Sequence, residues 1–254
     1  MSTEKTEAIV IRQADFSESS RVVTFFSREF GKFATLAKGA RRLKGPFDAA
    51  LDLLSRCRIV FIRKSSGALG ILTEASLVTR FRPDSADLVR IYGGYYVAEL
   101  LHDLTEDFDA APRLFDLAVE TLDALCSSQP HPPSVLVIFE ISLLREIGLL
   151  PELSECSACG EPALVGSDSS SGSRSFWITR SGLLCGACRR EEYSGTAVSA
   201  GTVEILKKLS TADHSVISRL VLSAVQTSEC HRFAASAIIG LTGRKPSTLR
   251  YLEF

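Results

Sequence analysis

The 254-residue sequence predicts an α+β chain of several domains: a small β-barrel, then a helical bundle carrying an inserted four-cysteine module. Three observations carry this prediction. Strand-like runs separated by turn signals fill about the first 80 residues. Apolar residues then recur every three or four positions after Pro83. Two C-x-x-C pairs fall between two of the helical stretches. The changes of pattern place domain boundaries at 1–82 (barrel), 83–151 (first helical part), 152–193 (cysteine module) and 194–254 (second helical part).

In chain order, residues 7–12, 21–28, 32–37, 56–63 and 70–79 are short runs rich in β-branched and aromatic residues, with turns at 29–31, Gly39 and 65–67. Five such strands in about 80 residues fit a small antiparallel barrel, and the OB-fold is the five-stranded candidate. Helical spacing follows at 88–103, 113–125 and 134–147, with Gly148 as a stop and Pro151 beyond it. It returns at 201–209, 216–224 and 230–242.

Between these helices lie Cys156-Ser-Ala-Cys159 and Cys185-Gly-Ala-Cys188, 25 residues apart. One C-x-x-C alone also reads as a redox pair, but two in one short region favour a tetrahedral zinc shell with sulfur at about 2.3 Å. Gly160 and Gly186 suit the two tight turns. Four cysteines leave no open coordination position, so one structural Zn2+ ion is expected at Cys156, Cys159, Cys185 and Cys188. Residues 166–174 read as a Gly/Ser loop and 175–179 as a strand entering the second turn. Cys57, Cys126 and Cys230 sit among apolar neighbours and are expected to be buried small hydrophobes.

Composition is that of a globular chain, 45 % hydrophobic and 23 % charged, with enough apolar residues for two or three modules. Residues 1–7 are polar and lead directly into a strand, so no signal peptide is expected. The apolar run 135–139 stops at Glu140, far short of a membrane helix. A cytoplasmic protein with no membrane partner is the expectation, and paired thiols in a reducing compartment favour metal over disulfide.

The net charge of −1 hides an asymmetry: residues 1–82 carry +7 and residues 83–254 carry −8. A basic front on an acidic body points to a polyanion bound by the barrel. Its densest cluster is Lys38, Arg41, Arg42 and Lys44, in a loop closed by Gly45-Pro46. Arg12, Arg21, Lys32, Arg58, Arg63 and Lys64 extend this candidate polyanion-binding patch. Such cations neutralise phosphates and release counterions without reading sequence. Phe25, Phe26, Phe33 and Phe61 are candidate base-stacking rings, although barrel core is the expectation for them. Arg189-Arg190 extend the cationic set, but Glu191-Glu192 offset them.

No catalytic constellation is present in the sequence. His102, His131, His214 and His231 lie in no H-x-E or H-E-x-x-H, and neither a G-x-x-x-x-G-K-[ST] nor a G-x-S-x-G occurs. His102-Asp103 reads as a helix-surface pair and 106–109 as a solvated acidic turn. The chain is not expected to be an enzyme.

Several short motifs resemble one family in both order and combination. They are Ile9-Val-Ile11, Ser17-Glu-Ser19, Phe30-Gly-Lys32 and Ala37-Lys-Gly-Ala-Arg-Arg42 near the start. Phe139-Glu140, Leu144 and Gly148-Leu-Leu-Pro151 lead into the first cysteine pair, and Gly182-Leu-Leu-Cys185 into the second. Gly243-Arg-Lys-Pro-Ser247 and Tyr251-Leu252 close the chain. Together they resemble the DNA repair protein RecO family of bacterial recombination mediators, over nearly the whole length. The resemblance implies an OB-fold, a helical domain with a zinc module, and a nucleoid-associated location. It also implies a non-catalytic activity: binding single- and double-stranded DNA, annealing complementary strands and, with RecR, loading the RecA recombinase onto strands coated by single-strand-binding protein. Of the DNA contacts, it carries over the Lys38–Lys44 patch. A zinc-ribbon OB-fold adapter binding RNA in transcription or translation is the alternative, and a zinc-dependent hydrolase with an open site is a third class.

Overall fold

The computed structural model describes residues 2–42, 47–64, 69–129, 131–162, 176–179, 182–189, 197–211 and 220–254. They form two compact units, Met1–Pro132 and Pro133–Phe254.

In the first unit, five strands close a barrel: β1 (Ser2–Asp15), β2 (Arg21–Ser27), β3 (Gly31–Ala37), β4 (Arg56–Arg63) and β5 (Gly70–Thr79). Going round, the order is β1-β2-β3-β5-β4. Pairing is antiparallel throughout except β3 beside β5, and β1 closes onto β4. This is an OB-like barrel, as the strand count predicts. One strand closes both seams. The first half of β1 pairs with β4 from Ser2↔Arg63 to Ile9↔Arg56, its second half pairs with β2, and a bulge between Val10 and Arg12 turns it from one partner to the other.

Strand β1 begins five residues before the periodic signal. Residues 3–5 are polar and show no apolar alternation; their ladder to β4 holds them in the sheet. In β3 the alternation is strict, and Phe33, Thr35 and Ala37 point inward. Phe25, Phe26, Phe33 and Phe61 are all at most 1 % exposed, and Phe33 stacks on Phe61 with centroids 4.4 Å apart. They are core, as expected, and unavailable to bases. Phe47, Ala50 and Leu51, in and just before a short 3-10 turn (Asp48–Leu51), complete that core.

Helices α1 (Leu88–Leu104) and α2 (Pro112–Cys126) belong to the same unit. The Asp87 carboxylate accepts from Arg90 N and caps α1. The buried Arg90 guanidinium donates to Asp87 and to the carbonyls of Ala124, Leu125, Ser127 and Ser128, so it satisfies the open end of α2. Arg28 forks onto Asp116 at 2.7 and 3.3 Å and fastens β2 to α2. Of the three scattered cysteines, Cys57 and Cys230 are buried, and burial pushes both thiols up to about 12. Cys126 corrects the expectation: it is the last residue of α2 and is exposed.

The second unit holds α3 (Pro132–Glu146), β6 (Phe176–Thr179), β7 (Gly182–Cys185), β8 (Ala197–Val198), α4 (Ala200–Thr211) and α5 (Ala224–Thr242). The stop at Gly148 is as predicted: φ is +71°, and Leu149 N donates to Leu144 O at 2.8 Å. Arg145 reaches from α3 to the carbonyl of Leu209 on α4 at 3.0 Å. Buried Glu140 on α3 meets His231 Nδ1 on α5 at 2.9 Å, and the His231 ring stacks on Phe254 at 3.6 Å. Helix α5 starts at Ala224 with a capping box, Gln226 N to Ser223 Oγ at 3.3 Å and Ser223 N to Gln226 Oε1 at 3.0 Å. Residues 220–223 are therefore not helical, contrary to the spacing read there, and 216–219 lie outside the described residues. So do the turn at 65–67 and the loop at 166–174.

Candidate metal centre and cationic surface

The cysteine module is assembled by main-chain bonds. Strands β6 and β7 form a hairpin, and β7 lies next to the first C-x-x-C through a Cys156↔Leu183 bridge. Ser157 uses both its N–H (2.8 Å) and its hydroxyl (3.0 Å) to bind the Leu183 carbonyl. Each C-x-x-C is a tight turn: Gly160 N donates to Cys156 O at 2.9 Å, and Cys188 N to Cys185 O at 3.1 Å. Gly182 opens β7 at φ +129°, where a Cβ would stand 2.8 Å from the Glu152 carbonyl, so this approach is open only to glycine. Glu152 in turn holds the amides of Leu153 and Ser154 with one carboxylate oxygen, at 2.8 and 2.7 Å. Those bonds keep its carboxyl below the usual range.

The result is four Sγ atoms, from Cys156, Cys159, Cys185 and Cys188, all within 4.8 Å of one another. Cys159 and Cys185 sulfurs are 3.7 Å apart, and a tetrahedron with bonds of about 2.3 Å has edges of about 3.8 Å. The electrostatics agree with the spacing. Burial opposes ionisation of Cys156. The amides of Cys185, Ala158 and Cys159 outweigh it and, with the Cys159 thiol, lower Cys156 to about 6. Cys188, hydrogen-bonded to the Cys159 and Cys185 sulfurs, is pushed up to about 12. One thiolate forms readily, whereas the Cys159 and Cys188 thiols are pushed up by the neighbouring sulfurs, because negative sulfurs this close need a cation among them. The donor set is soft, fourfold and closed, and it fits a metal ion.

The cations predicted from sequence do not form one surface. Lys38, Arg41 and Arg42 are exposed at the turn after β3, while Lys44 lies outside the described residues. The Arg41 guanidinium binds Ser17 O at 3.0 Å and stands 3.6 Å from Asp15. Arg21 meets the same Asp15 at 3.0 Å and Gln13 at 3.1 Å. Lys38, Arg41 and Arg42 form a cationic tip, with Arg21 joined to Arg41 through the shared Asp15, which partly neutralises it.

A second group surrounds the end of α1. Arg12 meets His102 Nε2 at 3.1 Å, Arg63 lies 4.1 Å from the centre of the Phe108 ring, and Lys32 donates to the carbonyls of His102 (2.7 Å) and Thr105. Lys32 Nζ is thus the C-terminal cap of α1, and its side chain is only 13 % exposed. Arg58 is exposed on β4, opposite Glu7 and Ser76, and Lys64 is half-buried at that strand's end. Arg189 lies 4.8 Å over the Trp177 ring, and 190–192 are outside the described residues. One exposed residue at the tip escaped the sequence reading: Phe16, an apolar ring in the otherwise polar stretch 15–20, which is the signal that marks it.

Two family models match the chain: Recombination protein O N terminal over residues 1–81, and Recombination protein O C terminal over residues 85–249. Among curated relatives, DNA repair protein RecO of Rhodopirellula baltica is 37 % identical over 204 residues, 80 % of this chain and 74 % of that protein. The RecO of Halalkalibacterium halodurans is 34 % identical over 80 % of this chain and 76 % of its own length. That of Anaeromyxobacter dehalogenans is 32 % identical over 98 % and 95 %.

Proposed function

The chain belongs to the recombination protein O family of DNA repair proteins, and we propose that within it the chain acts as a non-catalytic mediator that holds DNA strands by their phosphates at the barrel. The observation that carries this reading is the exposed tip formed by Lys38, Arg41 and Arg42, on a segment of charge +7. Each phosphate neutralised there releases a condensed counterion. Two strands screened at one surface repel each other less, so a cationic barrel that accepts both single- and double-stranded DNA also favours annealing. Such a surface needs only backbone contacts, which suits a protein that must work on any sequence.

Cys156, Cys159, Cys185 and Cys188 are the residues that would hold a single structural Zn2+ ion, tying β7 to the 152–159 segment. The ion would supply folding energy, with no open position for water. In this reading the acidic remainder of the chain meets proteins: RecR, single-strand-binding protein and, through them, RecA at the nucleoid.

The test is annealing of complementary oligonucleotides by the full chain. The double variant Lys38→Ala/Arg42→Ala should slow annealing and flatten its dependence on salt. Unchanged annealing would remove the tip from the mechanism. Preference for structured RNA with no annealing would instead favour the adapter reading.

A further inference from the structure

We propose that Phe16 is a stacking platform for one unpaired base, and that it gives the cationic tip a preference for single strands over duplex. This rests on the nucleic-acid reading above and deepens it. Among the described residues Phe16 is the most exposed aromatic, at 64 %. The phenylalanines within the barrel strands, Phe25, Phe26, Phe33 and Phe61, are buried. The barrel core closes without this ring, which leaves its face open to a ligand.

The ring is carried on a short, tied loop. Phe16 N and Ser17 N both donate to Ser20 O, at 3.0 and 3.3 Å, and Ser20 N donates to Ser17 Oγ at 3.2 Å. The turn after β3 braces the loop from the side: Arg41 N donates to Ser19 O at 3.2 Å, and the Arg41 guanidinium to Ser17 O at 3.0 Å. The loop backbone is thus ordered before any ligand arrives, which lowers the entropic cost of binding.

The same brace fixes the chemistry of the occupant. It ties the loop that carries Phe16 to the turn that carries Lys38, Arg41 and Arg42, so an exposed apolar ring and exposed cations lie on two adjoining loops. A single-stranded polynucleotide matches both halves, its bases having a free π-face and its backbone the charge. Bases in duplex are already stacked and gain nothing from the ring. Arg41, Lys38 and Arg42 serve either form of DNA, whereas Phe16 serves only the unpaired one.

The experiment measures binding of the full chain to oligothymidylate and to a duplex of equal length, across a salt series, by anisotropy. Stacking of one base is lost on alanine substitution, so Phe16→Ala should weaken oligothymidylate binding roughly 5- to 150-fold at each salt concentration. The slope of log affinity against log salt should not change, since no phosphate contact is removed. Duplex binding should change by less than about twofold. Phe16→Trp should restore the single-strand affinity. An equal loss on both forms of DNA, or a tryptophan variant as weak as the alanine one, would overturn the stacking role. If Lys38→Ala/Arg42→Ala weakens binding while Phe16→Ala is silent, only the stacking role fails. If both variants are silent, the nucleic-acid reading fails with it.

Discussion

Replacing Cys156 or Cys185 by serine takes one sulfur out of a shell whose members lie within 4.8 Å of each other. Hydroxyl is a poor zinc ligand, and three sulfurs at this spacing leave the turns unstapled. Purified wild-type chain should carry one zinc ion, and either variant close to none, read by a chromogenic chelator after denaturation. Equal metal content would mean that the pairs do something else. These four residues were legible in the sequence because soft-ligand chemistry and spacing act together. Single charged residues were less so, since a cation looks the same in sequence whether it meets phosphate or a helix end. Lys32 shows this. Its ammonium is spent on the carbonyls at the end of α1, so Lys32→Ala should cost about 1–3 kcal/mol in a denaturant titration and leave the salt slope of DNA binding unchanged. A flattened slope with full stability would return Lys32 to the interface.

Glu229 is the other residue whose role the sequence conceals. It is 8 % exposed and accepts from Ser199 N (3.0 Å), Ser199 Oγ (2.7 Å) and the Thr202 hydroxyl at the start of α4. Burial raises its pKa, but these bonds and Arg232 outweigh burial and leave the carboxyl below the ordinary value of 4.5. A folded-state pKa that is lowered stabilises above the unfolded value, and that contribution disappears as pH falls through the folded one. Glu229→Ala should therefore cost about 1–3 kcal/mol near neutrality, and the difference from wild type should shrink on acidification below 4.5. A difference that stays constant with pH would show that the carboxylate charge is not what holds the cap.

At the scale of elements, the strands and helices that repeat strictly are where the sequence puts them. β3 alternates without a break, and α3 ends at Glu146, just before the predicted stop at Gly148. The misplacements have physical causes. The first residues of β1 are polar and paired to β4 by backbone alone, so no period marks them. Helix α5 starts at Ala224, ahead of the spacing that begins at Cys230, because the Ser223–Gln226 capping box fixes its first turn where no apolar period marks it. The hairpin of β6 and β7 depends on one backbone position. Gly182→Ala forces an L residue to φ +129° with its Cβ 2.8 Å from the Glu152 carbonyl, a strain of about 1–3 kcal/mol. It should lower zinc affinity measured by competition with a chelator, though no sulfur is touched. Wild-type affinity would contradict the claim that this approach positions β7.

For the whole molecule, charge is the organising quantity. The front of the chain carries +7 and the remainder −8, while no helix among the described residues is long and apolar enough to cross a membrane. The net charge of −1 conceals this division. The sequence revealed it by segment, and the structure sorts the cations into a tip at Lys38–Arg42 and a second group engaged around the end of α1. The most direct measurement is single-stranded DNA affinity of the full chain across a salt series, with Lys38→Ala/Arg42→Ala alongside. The account predicts a steep linear fall of log affinity with log salt in the wild type, and a slope shallower by roughly 1.4 in the variant, about 0.7 per lost phosphate contact. A wild-type affinity independent of salt, or identical slopes for both proteins, would contradict it.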